Sequence, residues 1–327
     1  VERRASPSPA VTLGEDGFAL LLVALMVVLV TAFLLDRALR ARTEYRQAAN
    51  AAGDVRARAA AAAGVQHAIS RLDAMIGRQP AARAGDGVAT MMLADEGLRA
   101  DLASVPLAPG VRYGVAVEDV ASRLSVNDAG DDDLRRLFLA LGAGFREADV
   151  AAQSVLDWRD ADELHRGQGA EWDDWYRHQP VPVHPRNAPF QSVAELRQVR
   201  GMERLFARAA PYLTVAASVR VNVNTAPEPV LRSLPGLDGE SIALLLGRRA
   251  GGRPVRDVFE LQSQLSVRSR TTLQAAMAEF SSRAAFDSNL LEVVSTGAVS
   301  GLPFTRTVRA RVARSGMEVQ VVRIFEE

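Results

Sequence analysis

The sequence predicts an α+β protein: one long N-terminal helix packed on an antiparallel sheet, with a large all-α domain inserted between the first strands and the last. Three observations carry this. An uncharged apolar run near the N-terminus continues without proline into an alanine- and arginine-rich helical pattern. Strand-like alternation occurs at 111–118 and returns only near the C-terminus. Between the two, roughly residues 127–287, the pattern is helical with Pro and Gly punctuation.

Residues 18–35, FALLLVALMVVLVTAFLL, are 18 consecutive positions without a charge. At ~1.5 Å per residue the run reaches roughly 27 Å, close to a bilayer hydrocarbon core of ~30 Å. It is longer than the ~7–15 residues of a secretory signal and stops at Asp36-Arg37 without an Ala-x-Ala site, so it reads as retained. Arg37, Arg40, Arg42 and Arg46 follow it and only Arg3 and Arg4 precede it; by the positive-inside rule alone the bulk of the chain stays in the cytoplasm. Against that stands the short polar leader ending in Gly17-Phe18-Ala19-Leu20. It resembles a type IV prepilin leader, which a dedicated peptidase cuts after the Gly, and by that resemblance the soluble part faces outward. The alternative is an ordinary signal anchor with a helical stalk. No Pro interrupts 36–76, and Val65, Ile69, Leu72 and Ile76 recur at three-to-four spacing. One helix of about 55–60 residues follows, half in lipid and half packed on a domain.

After a Gly/Ala/Pro-rich connection at 79–87, a strand is expected at 111–118, continuing at 123–126. The closing strands are 290–296, 304–312 and 317–325, with Ser315-Gly316 as a turn. The inserted part holds a repeat: Leu124-Ser-Val-Asn127-Asp-Ala129 and Val221-Asn-Val-Asn224-Thr-Ala226. Asp128 and Thr225 are read as N-caps of the helices that follow, and Asp131-Asp132-Asp133 as a first helical turn favoured by the dipole. Glycines 201 and 236 place tight turns in units that resemble helix-hairpin-helix or SAM-like modules. Hairpins that bind nucleic acid usually carry a second Gly so that backbone amides approach phosphate; Glu203 and Asp238 stand there instead, which repels a phosphodiester. Protein packing is therefore expected of them, and no nucleic acid.

Composition narrows the chemistry. The 327 residues, 48% hydrophobic and 24% charged, suit about two domains of ~150 residues. All 39 basic residues are Arg, which excludes Schiff-base and pyridoxal chemistry and any Lys-dependent phosphate loop. The absence of Cys excludes disulfides, thiol nucleophiles and Cys-ligated metals. A formal net charge of zero gives no global attraction to nucleic acid or anionic lipid.

The most informative stretch is 157–174, where Asp157, Asp160, Asp162, Glu163, Glu171, Asp173 and Asp174 place seven carboxylates within eighteen residues. Gly167 and Gly169 bend the segment, so several oxygens can converge. The residue types admit a solvated acidic loop, a Ca²⁺ site built from hard oxygen ligands, or an acid/base pair of hydrolytic type. The spacing is not that of an EF-hand. Of the four histidines, His178 and His184 flank Pro180 and Pro182, which favours a surface role over zinc ligation.

Taken in order, nine elements make the chain similar to the type II secretion system minor pseudopilin K family, the general secretion pathway protein K family. They are Gly17-Phe18-Ala19-Leu20 with its apolar run; the Ala-rich helix through His67 and Arg71-Leu72; Leu124-Ser-Val-Asn127; Val155-Leu-Asp157-Trp158-Arg159-Asp160-Ala-Asp162; Gly169-Ala170-Glu171; Pro185-Arg186-Asn187-Ala188-Pro189-Phe190; Val193-Ala-Glu195-Leu196; Ala210-Pro211-Tyr212-Leu213; and Val221-Asn222-Val223-Asn224-Thr225-Ala226-Pro227. The resemblance implies a pilin-like fold with a prepilin leader at 1–17, a transmembrane part at 18–35, a pilin-like domain at 36–126 and 288–327, and the inserted helical domain at 127–287.

It further implies cleavage between Gly17 and Phe18 by prepilin peptidase, and a single-pass anchor in the inner membrane with the soluble part in the periplasm. The expected role is structural and non-enzymatic: capping a pseudopilus tip with minor pseudopilins I and J above the other pseudopilins, in support of protein export. Leu22, fifth after the cut, stands where most pilins carry Glu, an absence typical of this family. Calcium in the acidic segment is implied too, with Asp157, Asp160, Asp162, Glu171, Asp173 and Asp174 as candidate ligands. Two departures stand out. Trp172 interrupts the acids, so Glu171 maps more surely than Asp173 or Asp174, and Asp16 replaces the basic residue often found before the cleavage Gly. The rival reading is a membrane-anchored competence or DNA-uptake protein using the hairpins.

Overall fold

One helix, α1 (Glu15–Gly77), runs for 63 residues, ~95 Å at 1.5 Å per residue. The computed structural model describes residues 15–78, 87–89, 92, 102–217, 219–316 and 318–326; most of the leader and the connection at 79–86 lie outside the described residues. Residues 18–52 of α1 are exposed throughout, and burial begins at Gly53. The expected division into a lipid half and a packed half is thus incomplete, because 36–52 form a third, free-standing part. Its Arg, Glu, Gln and Thr side chains leave no continuous apolar stripe there. The stripe that does bury is Ala57, Ala60, Ala61, Val65, Ala68, Leu72, Met75 and Ile76, the spacing of one helical face.

That stripe lies on a five-stranded antiparallel sheet in the order β1-β2-β7-β8-β9. Its strands are β1 (Val105–Ala108), β2 (Val111–Asp119), β7 (Leu290–Val299), β8 (Thr305–Ser315) and β9 (Glu318–Glu326). Register puts Val115 opposite Ser295, Val293 opposite Ala310 and Leu291 opposite Val312, all on the face under α1. Helix and sheet come close: a Cβ at Gly297 would lie 2.0 Å from the Ala57 carbonyl oxygen, and one at Gly64 2.1 Å from the Ser295 hydroxyl. Small residues at 57, 60 and 61 follow from that proximity. The β8–β9 turn falls at Gly316, whose φ of +65° suits glycine. The sequence pattern missed β1, which contains Pro106; an edge strand tolerates a residue without an amide hydrogen.

The chain leaves this sheet after Asp119 and returns at Leu290. In between run α2 (Asp131–Ala140), α3 (Phe145–Arg159), α4 (Phe206–Ala209), α5 (Glu228–Ser233), α6 (Gly239–Ala250), α7 (Val258–Ser263), α8 (Val267–Ala275) and α9 (Met277–Arg283). They share a second hydrophobic core around Phe138, Trp158, Met202, Leu213, Leu231 and Phe280. Two short parallel pairs tie it together: β3 (Leu124–Ser125) with β4 (Leu213–Thr214), and β5 (Val221–Asn222) with β6 (Ala284–Ala285). The expectation that 123–126 extends the main sheet is corrected, since Leu124 and Val126 pack in the helical core.

The sequence repeat is a structural one. Asn127 donates to the carbonyls of Phe190 and Val215 (3.0 and 2.9 Å) and accepts from the Phe190 amide (2.8 Å). Asn224 does the same with Val255 and Phe286 (2.7 and 2.6 Å) and with the Val255 amide (2.9 Å). Each Asn therefore staples a distant loop to the turn that starts a helix. The capping roles given to Asp128 and Thr225 are corrected. A tight turn separates each from its helix, so Gly130 precedes α2, with Asp133 accepting from its amide (2.9 Å), and Pro227 precedes α5. The Thr225 hydroxyl instead donates to buried Asp119 (2.6 Å), which also takes the Asn222 side-chain amide (2.8 Å). Beside this junction Arg123 joins Glu118 of β2 to Glu292 of β7.

Candidate metal centre

Helix α3 buries Ala148, Ala151, Ala152, Val155 and Trp158, and this face carries Asp157 with it into full burial. A carboxylate in the last helical turn meets the negative end of the dipole and loses water, and burial raises the Asp157 pKa above the usual carboxylate range. The chain then folds back over it. The Arg166 amide donates to both Asp157 oxygens (3.3 and 3.1 Å), and Arg166 Nη1 sits 2.5 Å from Asp157 Oδ1 and 2.5 Å from Asp160 Oδ2. Gly169 is required by this crossing, because a Cβ there would fall 1.8 Å from Asp157 Oδ2.

Glu171 is the anomaly. Its residue is only 2% exposed, and neither carboxylate oxygen has a hydrogen-bond partner. Burial, followed by the charges of Asp157, Asp160, Asp162 and Asp174, pushes its pKa up to about 7. Asp174 Oδ1 accepts from the Glu171 amide (2.7 Å), and Asp162 Oδ1 from the Leu164 amide (2.9 Å). Asp160 Oδ1 is buried without a partner as well. Asn187, in the left-handed region at φ 49°, donates its amide to the Trp158 carbonyl (3.0 Å) while its Oδ1 is another orphaned acceptor.

Five carboxylates, Asp157, Asp160, Asp162, Glu171 and Asp174, thus act on one region. Asp173 points elsewhere: it is 75% exposed and bonded to Arg177 at 2.7 Å. Among the described residues no histidine is hydrogen-bonded to these acids: His165 bonds the Arg166 carbonyl, His178 accepts from Arg177, His184 stacks on Trp172 and His67 pairs with Tyr113. The donor chemistry, hard oxygens with several lone pairs unused, fits Ca²⁺ better than a softer ion. Among the described residues, however, no group of three or more His, Asp or Glu side chains is already gathered as a metal cage. Arg166 occupies two of the carboxylates.

The family model for type II secretion system (T2SS), protein K, matches residues 116–218, a stretch that includes the whole acidic segment. The type II secretion system protein K of Pseudomonas aeruginosa is 27% identical over 264 residues, spanning 75% of this chain and 76% of that one. That of Dickeya chrysanthemi is 37% identical over 94 residues, 28% of this chain and 25% of its relative. The crystal structure of the GspK-GspI-GspJ complex from enterotoxigenic Escherichia coli contains a chain with the same fold, at TM-score 0.64 and 20% identity, covering 88% of this chain and 98% of that one. The family model, the relatives and the shared fold all point to the type II secretion system protein K family.

Among the described residues one helix, α1, is long and apolar enough to cross a membrane, and none of that apolar window is buried. Leu22 lies within it, exposed like its neighbours, and Gly17 and Phe18 lie on the same continuous helix. Gly201 and Gly236 both lie in the left-handed region, at φ 82° and φ 77°. Asp238 caps α6 by accepting from the Ser241 amide (3.0 Å), and Glu240 accepts from the Ser266 amide at the start of α8 (2.7 Å). Sequence reasoning missed Arg166 and Asn187; the latter stood inside a quoted motif, and only its left-handed backbone singles it out.

Proposed function

We propose that this protein is a non-enzymatic minor pseudopilin that caps a pseudopilus tip together with minor pseudopilins I and J and supports export of folded proteins. One observation carries the reading: 35 residues of α1, at 18–52, are covered by none of the described residues, and the first half of them carries no charge. Such a rod is stable only in lipid or among other helices. Prepilin peptidase cuts after Gly17, Phe18 becomes the N-terminus, and the folded part stands in the periplasm above the inner membrane. Leu22 offers no carboxylate to the terminal ammonium of a subunit, which suits a chain that starts a filament. The helical mass between β2 and β7 blocks addition above it, so growth proceeds from below.

The carboxylates around Glu171 bind calcium in this reading. Asp157, Asp160, Asp162, Glu171 and Asp174 would hold it, with Asp173 left to Arg177. Bound calcium supplies positive charge that compensates buried carboxylates. The DNA-uptake rival meets acids where phosphate would have to dock, at Asp238 and Glu240. Mass spectrometry of protein extracted from cells, with co-purification from membranes, tests the main reading. The expected N-terminus is Phe18 and the expected companions are minor pseudopilins I and J. An intact leader, or recovery without any pilin-like chain, overturns it.

A further inference from the structure

We propose that Arg166 is an internal stand-in for the cation: it neutralises Asp157 and Asp160 in the ion-free chain and must leave when calcium enters. This rests on the calcium reading above and adds how the site is regulated. A single guanidinium nitrogen reaches both carboxylates at 2.5 Å, from a side chain that is 40% exposed on the solvent side. It can therefore swing into water without disturbing the core. Its compensation is incomplete, because both Glu171 oxygens and Asp160 Oδ1 stay without a partner. A divalent ion taking six to eight oxygens can recruit those orphans as well as the two carboxylates. Ion and guanidinium cannot share Asp157 Oδ1 and Asp160 Oδ2, since both are positive and the oxygens are the same.

Because the Arg166 backbone amide also rests on Asp157, expulsion of the side chain loosens the loop from Asp160 to Gly169. Calcium binding and loop position are thus coupled, and the affinity measured for the wild type is reduced by the competing arginine.

The test is calorimetric titration of calcium chloride into the chelator-stripped full chain in detergent micelles, for wild type, Arg166→Gln and Arg166→Lys. Arg166→Gln is expected to bind at least fivefold tighter and to melt lower than wild type in chelator; Arg166→Lys keeps a competing charge and stays within twofold of wild type. Calcium binding to wild type with no gain in Arg166→Gln overturns the stand-in role and leaves the calcium reading intact. No binding to any variant overturns the calcium reading, and this inference with it. Should Arg166→Gln fail to fold, hydrogen exchange of the wild type decides: calcium is expected to speed exchange at the Arg166 amide, and unchanged or slower exchange overturns the proposal.

Discussion

Replacing Glu171 by Gln should stabilise the ion-free chain and abolish its response to calcium. The carboxylate is buried without a partner, and its pKa of about 7 against an ordinary 4.5 means that the folded state holds the proton more tightly than the unfolded state. At ~1.4 kcal/mol per pH unit, the charged form costs the fold roughly 3 kcal/mol once the pH exceeds 7. Below pH 4.5 the group is protonated in both states and the cost vanishes; stability therefore falls as the pH rises between those values and is level above them. Glutamine has the same shape, no charge, and an amide that can donate to the surrounding carboxylates. At ~2–4 °C per kcal/mol, Glu171→Gln should melt roughly 6–12 °C above wild type at pH 8 in chelator, with the gap closing towards pH 4.5. Excess calcium should raise the wild type and leave the variant unmoved. The assay is thermal unfolding of the full chain in detergent, with and without calcium, at the two pH values. A variant that melts at or below wild type in chelator at pH 8 would show that Glu171 is not an uncompensated charge, and the electrostatic case for the site would fall.

Gly297→Ala puts a methyl group into the α1 backbone at 2.0 Å from the Ala57 carbonyl oxygen, where neither side can yield by rotating a side chain. A loss of about 3 kcal/mol or more is expected from denaturant unfolding, while Gly77→Ala, which meets nothing, serves as the neutral control. Asn224→Ala orphans the Val255 amide and two carbonyls in a buried turn; about 2–4 kcal/mol of destabilisation is expected in the same assay. In gel-shift titrations at ~0.15 M salt the full chain should not retard duplex or single-stranded DNA, and salt-sensitive micromolar binding would restore the DNA-uptake rival.

What the sequence made legible follows from what is local in physics. The long helix could be read because continuous apolarity and a three-to-four repeat are properties of neighbouring residues. Its free-standing part could not, because Ala57, Ala60 and Ala61 give no strong apolar signal, and only the approach of Gly297 explains why they are small. The acidic segment was visible as a composition, yet Asp173 and Asp174 are chemically identical neighbours and only the turn sends one to Arg177 and the other to the Glu171 amide. Arg166 was hidden for a related reason: pairing across nine residues depends on a crossing that Gly169 permits. The Asn127 and Asn224 repeat was seen, but the carbonyls each one holds come from loops 30 to 90 residues away.

The bare stretch of α1 at 36–52 sets more than altitude. A rigid helix couples climb to azimuth, ~1.5 Å and ~100° for each residue, so these 17 positions fix both how far the sheet stands from the apolar run and which compass direction it faces. Excising four residues lowers the body by ~6 Å and turns it by ~40°, whereas excising eleven brings the heading back to within ~20° and costs ~16 Å of height. Deletions along this shaft therefore separate the requirement for elevation from the requirement for orientation.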